Sequence, residues 1–405
     1  NDKKLFIFTG LNQCKVVTAD GITAVDIANP PADWTTRRPV CGAIHENRLW
    51  GASRHTIYYS LPEDHEDFTT AGAGNMLVYP GVGDDIAAMM SFKGMLLVFK
   101  RPNGIYAIDT SDVTAANWRV NKINENIGVA SPLAVTQIDD DVVFETRFGT
   151  LHLLSAVREF ADVEGSSISA TQDIDQFMRD NVSKGNMKFS QMVYYQDKRE
   201  VHVTLSTLNA ASGDRDFRMV LDMNDPQVMR FRFSDKDQNR SIWLRRNVSG
   251  VHRPVIGDSS GTVWLLDDEG LTKDGVGYNA VFQTSQNDFS ELDPKLGTVN
   301  KIGKFLEVVR DPRGNWLLNV EVYWDDVLKQ SIPFNLATVG TPLGTFTLGT
   351  HALAGTRISR KRRRMVGSGK YLSLLGKNGT AGEGFAVIKM YAYFKRGGES
   401  ERNSG

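Results

Sequence analysis

The stretch PVCGAIHENRLWGASRHTIYYSLPEDHEDF, residues 39–68, decides the fold of this chain. It contains three short apolar or aromatic runs, 40–45, 48–52 and 56–60, which are separated by polar turns. Runs of about five residues bounded by Gly, Asn, Asp or Pro are typical of antiparallel strands joined by hairpins. The stretch therefore predicts one small sheet, and so small a sheet needs neighbours to bury its faces.

The same pattern recurs over the first two thirds of the chain. Units of this kind follow one another at intervals of roughly 40 to 55 residues, which is the period of propeller blades. The units cover residues 5–34, 39–68, 86–109, 134–154, 192–222 and 241–267. The pattern predicts an all-β fold with a β-propeller of repeated antiparallel blades, and a stacked pair of sheets is the alternative.

Three loops of the blade region end in an aromatic residue. They run from 29 to Trp34, from 61 to Phe68 and from 111 to Trp118. Proline and clustered polar residues stop strand pairing in such loops, because proline donates no hydrogen bond to the ladder. We expect each aromatic ring to pin its loop onto the adjacent sheet.

The sequence of one segment between blades predicts a helix. Within residues 173–179, Ile174, Phe177 and Met178 stand at i, i+3 and i+4, which forms one apolar helix face. A hydroxyl at Ser169 or Thr171 would cap the helix by accepting a bond from a free backbone N–H. We expect a short surface helix on a blade connection, or a contact to another subunit.

The composition is that of a folded protein, and we expect no membrane segment within it. Hydrophobic residues make up 41% of the 405 residues, and no apolar run approaches the ~20 residues of a membrane helix. From the residues given, we expect no signal peptide. Since residue 1 is Asn rather than Met, we expect a partial chain with an incomplete first blade. The two cysteines, Cys14 and Cys41, show no metal spacing and are expected to be buried thiols.

The chain changes character near residues 273–277, where a second domain begins. Its strand-like segments are 304–309, 316–324, 330–334 and 386–394. They predict a C-terminal β-sandwich or small barrel. The expected division is a propeller over residues 1–275 and an all-β domain with a frayed tail over 276–405.

The second domain carries an uneven charge. Residues 327–382 contain no Asp or Glu, whereas the same span carries Lys329, Arg357, Arg360, Lys361, Arg362, Arg363, Arg364, Lys370 and Lys377. In a strand, period-two alternation sends Arg360, Arg362 and Arg364 to one face and Lys361 and Arg363 to the other. Two interpretations stay open. The strand is solvated and paired with carboxylates of the same or a neighbouring subunit, or it contacts nucleic-acid phosphates.

Catalytic signals are absent from the sequence. The seven histidines are scattered, and none has a spacing such as His-Glu-x-x-His. Three consecutive aspartates, 139–141, are expected to form a solvated hairpin turn rather than a cation site. The sequence predicts no enzyme, no cofactor, no catalytic residue and no metal ligand.

The order of these elements resembles a known family. The succession 48–52, 57–60, 64–68, 103–108, 126–132 and 141–144 is similar to the tail nozzle and hub proteins of short-tailed bacteriophages. These proteins are also called tail tubular protein B or packaged-DNA stabilisation proteins. The hairpin at 257–267, the helix at 174–178 and the arginine-rich strand before 367–372 also match. The resemblance covers most of the chain, about residues 39–394.

The resemblance implies a structural role in the virion tail, after assembly in the host cytoplasm. Such proteins form a ring, commonly of six copies, below the portal and adaptor. They extend the DNA channel, help retain packaged DNA and pass it during ejection.

The expected partners are therefore further copies of the chain in a hexameric ring, the head–tail adaptor, tail fibre or needle proteins, and packaged DNA through non-specific phosphate contacts. The expected DNA-channel or inter-subunit contacts are Arg357, Arg360, Lys361, Arg362, Arg363, Arg364 and Lys370. A glycan-binding or glycan-hydrolysing tail propeller is the alternative function, and a propeller scaffold of cellular origin is a third, since blades alone do not specify function.

Overall fold

The computed structural model describes residues 4–18, 21, 23–79, 84–159, 171, 174–211, 214–224, 230–234, 241–246, 250, 252–258, 261–266, 280–311, 317–335, 359–378 and 386–397. The chain divides into two compact units, Asn1–Asp267 and Asp268–Gly405. The boundary expected between residues 275 and 276 falls in the segment 267–279, which lies outside the described residues.

Unit 1 consists of small antiparallel sheets that follow one another along the chain. In each sheet, neighbours in sequence are neighbours in space. Within the described residues there are six such sheets, named blades 1 to 6. Blade 1 contains β1 (Leu5–Ile7), β2 (Lys15–Val17) and β3 (Ala24–Asp26). Blade 2 contains β4 (Cys41–His45), β5 (Arg48–Ser53), β6 (Thr56–Tyr59) and β7 (Gly74–Leu77).

The remaining four blades repeat this arrangement. Blade 3 contains β8 (Asp85–Phe92), β9 (Met95–Arg101), β10 (Ile105–Asp109) and β11 (Arg119–Asn124). Blade 4 contains β12 (Val135–Ile138), β13 (Asp141–Glu145) and β14 (Leu151–Leu153). Blade 5 contains β15 (Gln191–Tyr195), β16 (Glu200–Leu205), β17 (Phe217–Asp222) and β18 (Arg230–Ser234). Blade 6 contains β19 (Ser241–Arg246), β20 (His252–Gly257) and β21 (Val263–Leu265). This up-and-down order confirms the predicted all-β, propeller-like fold.

Apolar side chains fill the seams between the first five blades. Val16 of blade 1 and Leu49 of blade 2 share one cluster, and Trp50 of blade 2 and Leu96 of blade 3 share another. A third cluster extends from blade 3 through blade 5. Burying both faces of each inner blade in this way supplies the stability that a single small sheet lacks.

The seam between blades 5 and 6 is built differently. The side-chain amide of Gln191 in β15 donates to the carbonyl of Ile242 at 2.8 Å and accepts from the N–H of Ile242 at 3.2 Å. Both residues are buried. A polar clamp therefore joins the first strand of blade 5 to the first strand of blade 6.

The aromatic residues that end the three loops pack against side chains of the blades, as predicted. Trp34 is fully buried, and its ring centroid lies 5.9 Å from that of Tyr58 and 4.9 Å from that of Phe68. Trp118 packs against Trp50 at 5.3 Å. The prediction that these rings pin their loops onto the sheets is confirmed.

The helices are short, and the predicted helix begins at residue 175 rather than at residue 173. Among the described residues, the α-helices are α1 (Leu154–Glu159), which was not expected, and α2 (Asp175–Asn181). Short 3-10 helices occur at Ala32–Thr35, Ala115–Asn117, Lys184–Phe189, Gln196–Lys198 and Pro294–Thr298.

The expected cap of the predicted helix is wrong. Ile174 occupies the capping position of α2, and no side chain caps the helix there. The Thr171 hydroxyl instead donates to the carboxylate of Asp175 at 2.9 Å and accepts from the N–H of Leu151 at 3.2 Å. Ser169, the other expected cap, lies outside the described residues.

Both cysteines are free and buried, as predicted. Burial raises the pKa of the Cys14 thiol and of the Cys41 thiol to about 12. Both groups are therefore neutral and unreactive at physiological pH.

Unit 2 is a β-sandwich of two antiparallel sheets. The first sheet has the order β22 (Ala280–Gln283), β28 (Leu372–Asn378), β24 (Leu317–Trp324) and β25 (Val327–Asn335). The second, named the basic sheet, centres on β23 (Lys301–Asp311), with β26 (Ser359–Arg364) and β27 (Ser368–Gly369) on one side and β29 (Ala386–Arg396) on the other. Leu306 and Val308 of the basic sheet pack with Val320 and Trp324 of the first sheet in one buried core.

Candidate functional site

The arginine-rich segment forms an edge strand of the basic sheet. All five side chains of residues 360–364 are exposed, and among the described strands β26 pairs with β23 alone. Consecutive cations on both faces of a strand suit an edge, because water reaches both faces there and like charges discourage further pairing. Arg357, which was also predicted to belong to this site, lies outside the described residues.

Strand register brings distant residues together on the outer face of the basic sheet. Phe305 of β23 lies between Arg364 and Tyr393, Glu307 lies between Arg362 and Tyr391, and Val309 lies between Arg360 and Lys389. Alternate side chains of a strand share a face. We name these nine residues the basic aromatic face: Phe305, Glu307, Val309, Arg360, Arg362, Arg364, Lys389, Tyr391 and Tyr393.

The opposite face of β23 is the sandwich core, where Leu306 and Val308 are fully buried. Lys361 and Arg363 stand opposite Val308 and Leu306, so they belong to the other side of the strand. The alternation expected from the sequence therefore separates three arginines from the other two cations.

One buried carboxylate organises the arginines of this face. Glu307 forms ion pairs with Arg360 at 3.7 Å and with Arg362 at 3.6 Å, and the Tyr393 hydroxyl lies 3.4 Å from its Oε2. The Arg362 guanidinium also lies over the Tyr393 ring at 4.3 Å and over the Phe305 ring at 5.0 Å. Stacking and ion pairing together hold this arginine in place.

The positive charge of the face exceeds its negative charge. Four cations, Arg360, Arg362, Arg364 and Lys389, share the face with Glu307 as its one carboxylate. The single negative charge of Glu307, which pairs with Arg360 and Arg362, compensates only one of the four positive charges. The excess is therefore available to an anionic partner.

The other predicted cation of the site lies elsewhere in unit 2. The backbone N–H of Lys370 donates to the Asp325 carboxylate at 2.9 Å, and its ammonium lies 5.3 Å over the ring of Tyr371. Its carbonyl accepts from the buried ammonium of Lys301 at 2.8 Å. Lys370 thus orders a loop after β27, and it has no position on the basic aromatic face.

Carboxylates outside the acid-free span neutralise part of its charge. Lys377 pairs with Glu321 at 2.8 Å, which raises the pKa of the lysine and lowers that of the glutamate. This contact and the Glu307 pairs are the same-chain ion pairs that the first interpretation of the basic span expects.

Sequence reasoning missed the aromatic half of the face. Phe305, Tyr391 and Tyr393 have exposed fractions of 40%, 39% and 39%. Applying period-two alternation to the segment 386–394 would have placed both tyrosines on one side. Their position beside the arginines depends on pairing through β23, which the local pattern does not indicate.

His45 and Asp139, two residues that could suggest chemistry, have structural partners. His45 is buried between blades 2 and 3, where its Nδ1 lies 2.8 Å from the Ser91 hydroxyl and its Nε2 lies 2.7 Å from the Thr110 hydroxyl. Burial lowers the pKa of His45, so the ring is neutral and bridges two hydroxyls. Asp139 pairs with Arg199 at 3.0 Å. In the described part of the chain, no three His, Cys, Asp or Glu residues group as a metal site.

A cleft of about 450 Å³ lies beside blades 4, 5 and 6. Its walls include Val135, Gln137, Tyr194 and Trp243, and no carboxylate is among the described residues that line it. Trp243 is 56% exposed at this cleft. The cleft offers an aromatic surface, amide groups and the imidazole of His252.

The fold and the site define an all-β protein of propeller-like blades and a C-terminal sandwich with a basic aromatic face. No family model and no curated protein sequence matches the chain. Among solved structures, the chain is similar to the N-terminal domain of Nup159, with 9% identity, a TM-score of 0.37, and coverage of 65% of this chain and 71% of the other. A structure of the mitotic checkpoint complex gives 12% identity, a TM-score of 0.39, and coverage of 65% and 73%.

The extracellular domain of the hybrid two-component system BT4673 from B. thetaiotaomicron gives 12% identity and a TM-score of 0.36, with coverage of 82% of this chain and 39% of the other. TM-scores of this size carry no argument about function. Within the described residues, no helix is long and apolar enough to span a membrane.

Proposed function

We propose that this chain is a structural protein of the tail of a short-tailed bacteriophage, of the nozzle or hub type. It acts by assembling into a ring of identical copies, six in the simplest case, which extends the DNA channel below the portal and adaptor. The ring helps to retain packaged DNA, passes it during ejection, and binds tail fibre or needle proteins. The proposal rests on the sequence resemblance, and it involves no chemical step.

The basic aromatic face is the observation that supports this proposal most directly. Four cations surround one carboxylate on a sheet whose other side is a packed core. A rigid, positively charged surface suits either the phosphates of passing DNA or the carboxylates of a neighbouring subunit. Contacts of the first kind are independent of sequence and weaken with salt, which a protein that passes a whole genome requires.

Electron microscopy tests the proposal. Antibodies raised against the purified chain are applied to virus particles from lysates of its source, and the purified chain is imaged alongside. We expect label at the tail of the particles and closed rings with an axial channel in averaged images. Particles that carry no label at any position would overturn the proposal.

A glycan-binding tail protein is the second candidate, because Trp243 lies exposed beside the cleft of blades 4 to 6. Aromatic and amide side chains can bind a small polar ligand in such a cleft. Glycan hydrolysis commonly needs two carboxyl groups, and the described lining has none. A glycan array distinguishes the candidates: binding that Trp243→Ala abolishes supports this function, and an array without signal refutes it.

A further inference from the structure

We infer that the basic aromatic face binds single-stranded nucleic acid, with the phosphates along β26 and unpaired bases on the tyrosines of β29. This goes beyond the proposed function, since a channel for duplex DNA uses phosphate contacts and needs no unpaired bases. The inference is carried by the position of the exposed rings beside the arginines.

The face has a cationic edge and an aromatic edge, separated by one strand. Arg360, Arg362 and Arg364 lie along β26. Tyr391 and Tyr393 lie along β29, on the other side of β23. Two strand spacings separate these edges by about 10 Å, and alternate residues repeat every ~6.7 Å along a strand. That repeat corresponds to about two phosphates of one stacked DNA strand, each of which occupies about 3.4 Å along the helix axis. A nucleic-acid strand can therefore lie along β26 while its bases extend across the sheet.

The exposed rings favour a ligand with flat aromatic groups. Phe305, Tyr391 and Tyr393 are large side chains on one sheet face and remain more than one third exposed. Among the described residues, no ring or cation stacks on Tyr391, whereas Arg362 already stacks on the other two. Stacking of bases on aromatic side chains contributes about 1–3 kcal/mol per base and tolerates any sequence. Tyr391 is the open platform for a base.

The charges of the face favour the same ligand. Glu307 draws Arg360 and Arg362 toward the centre of the face, and Arg364 and Lys389 occupy opposite corners of the residue grid. An acidic peptide would satisfy these cations but would leave the tyrosine rings unused. Duplex DNA likewise presents phosphates and keeps its bases stacked inside the helix. A single strand is the ligand that uses both edges.

Fluorescence anisotropy of the full chain with a labelled 20-nucleotide oligothymidine and a labelled 20-base-pair duplex tests this inference. We expect the single strand to bind more tightly than the duplex at each salt concentration between 50 and 200 mM. The double variant Tyr391→Ala with Tyr393→Ala should weaken single-strand binding at least tenfold and leave duplex binding within about twofold.

A second double variant tests the cationic edge. Arg360→Ser with Arg364→Ser removes two phosphate contacts, so the slope of log K against log salt should fall by about 1.4. The matched control, Lys122→Ser with Lys184→Ser, removes the same charge from exposed positions in unit 1 and should change the slope by less than half as much. Circular dichroism verifies that each variant is folded.

Three results would overturn the inference: equal binding of duplex and single strand, unchanged single-strand affinity in the folded tyrosine variant, or equal competition by polyglutamate at matched charge. None of these results affects the labelling of virus particles, so the inference and the proposed function can fail separately.

Discussion

The carboxyl group of Glu145, buried at the end of β13 in blade 4, predicts a specific pH dependence of stability. Glu145 is fully buried, and neither carboxyl oxygen has a hydrogen-bond partner among the described residues. Burial raises the pKa of this carboxyl to about 8. Glu145 is therefore protonated in the folded chain at neutral pH.

The sign of the effect follows from proton linkage. In the unfolded chain the carboxyl group ionises at its ordinary pKa of about 4.5, so between about pH 4.5 and 8 the folded state holds one more proton than the unfolded state. The contribution of Glu145 to the free energy of unfolding is fully present below about pH 4.5. It decreases as the pH rises toward 8. The slope is about 1.4 kcal/mol per pH unit, and the whole window amounts to at most about 5 kcal/mol.

Urea unfolding of the wild type and of Glu145→Gln at pH 5.5, 6.5 and 7.5 measures this slope. Gln cannot ionise, so we expect the variant to lose stability less steeply than the wild type by about 1.4 kcal/mol per pH unit. Any constant cost of fitting the amide cancels in this comparison. Asp140→Asn, whose side chain is 98% exposed on the same hairpin, serves as control and should keep the wild-type slope. Parallel slopes for wild type and Glu145→Gln would refute the reasoning.

Three further substitutions, one of them with a control variant, test the packing of the chain. Gln191→Ala leaves the buried N–H and C=O of Ile242 without their clamp, so the free energy of unfolding should fall by about 2–4 kcal/mol, and hydrogen exchange should be faster in β19 than in the other first strands. Trp34→Ala should cost about 3–5 kcal/mol in denaturant unfolding, whereas Leu11→Ala, at a side chain that is 81% exposed, should stay within ±0.5 kcal/mol. Gly367→Ala places a methyl group 2.6 Å from the indole of Trp324 in β24 at a φ of +115°. Thermal unfolding should therefore show that the free energy of unfolding falls by about 1–3 kcal/mol. An unchanged melting temperature would contradict this geometry.

The blades could be predicted from the sequence because their determinants are local. A hairpin such as Arg48–Ser53 with Thr56–Tyr59 is specified by apolar runs and by the turn between them. Repetition of that unit then predicts the architecture without any knowledge of long-range contacts. The cationic strand was found in the same way, from its composition.

The remaining features depend on contacts between residues far apart in sequence. Tyr393 reaches Arg362 only because both strands pair with β23, and no pattern within either strand indicates that neighbour. Thr171 was expected to cap α2, but a bond from the distant Leu151 N–H competes for its hydroxyl. Tertiary partners of this kind override local preference.

The clamp of Gln191 on Ile242 gives the last seam of unit 1 a geometric property that the apolar seams lack. Apolar surfaces can slide past each other by fractions of an ångström with little change in buried area, whereas a paired donor and acceptor hold only at one distance and in one direction. The amide of Gln191 thus acts as one extra peptide group inserted between two sheets. Blade 6 is consequently held at one position relative to blade 5. To move from that position, it has to break both hydrogen bonds together and cannot shift gradually.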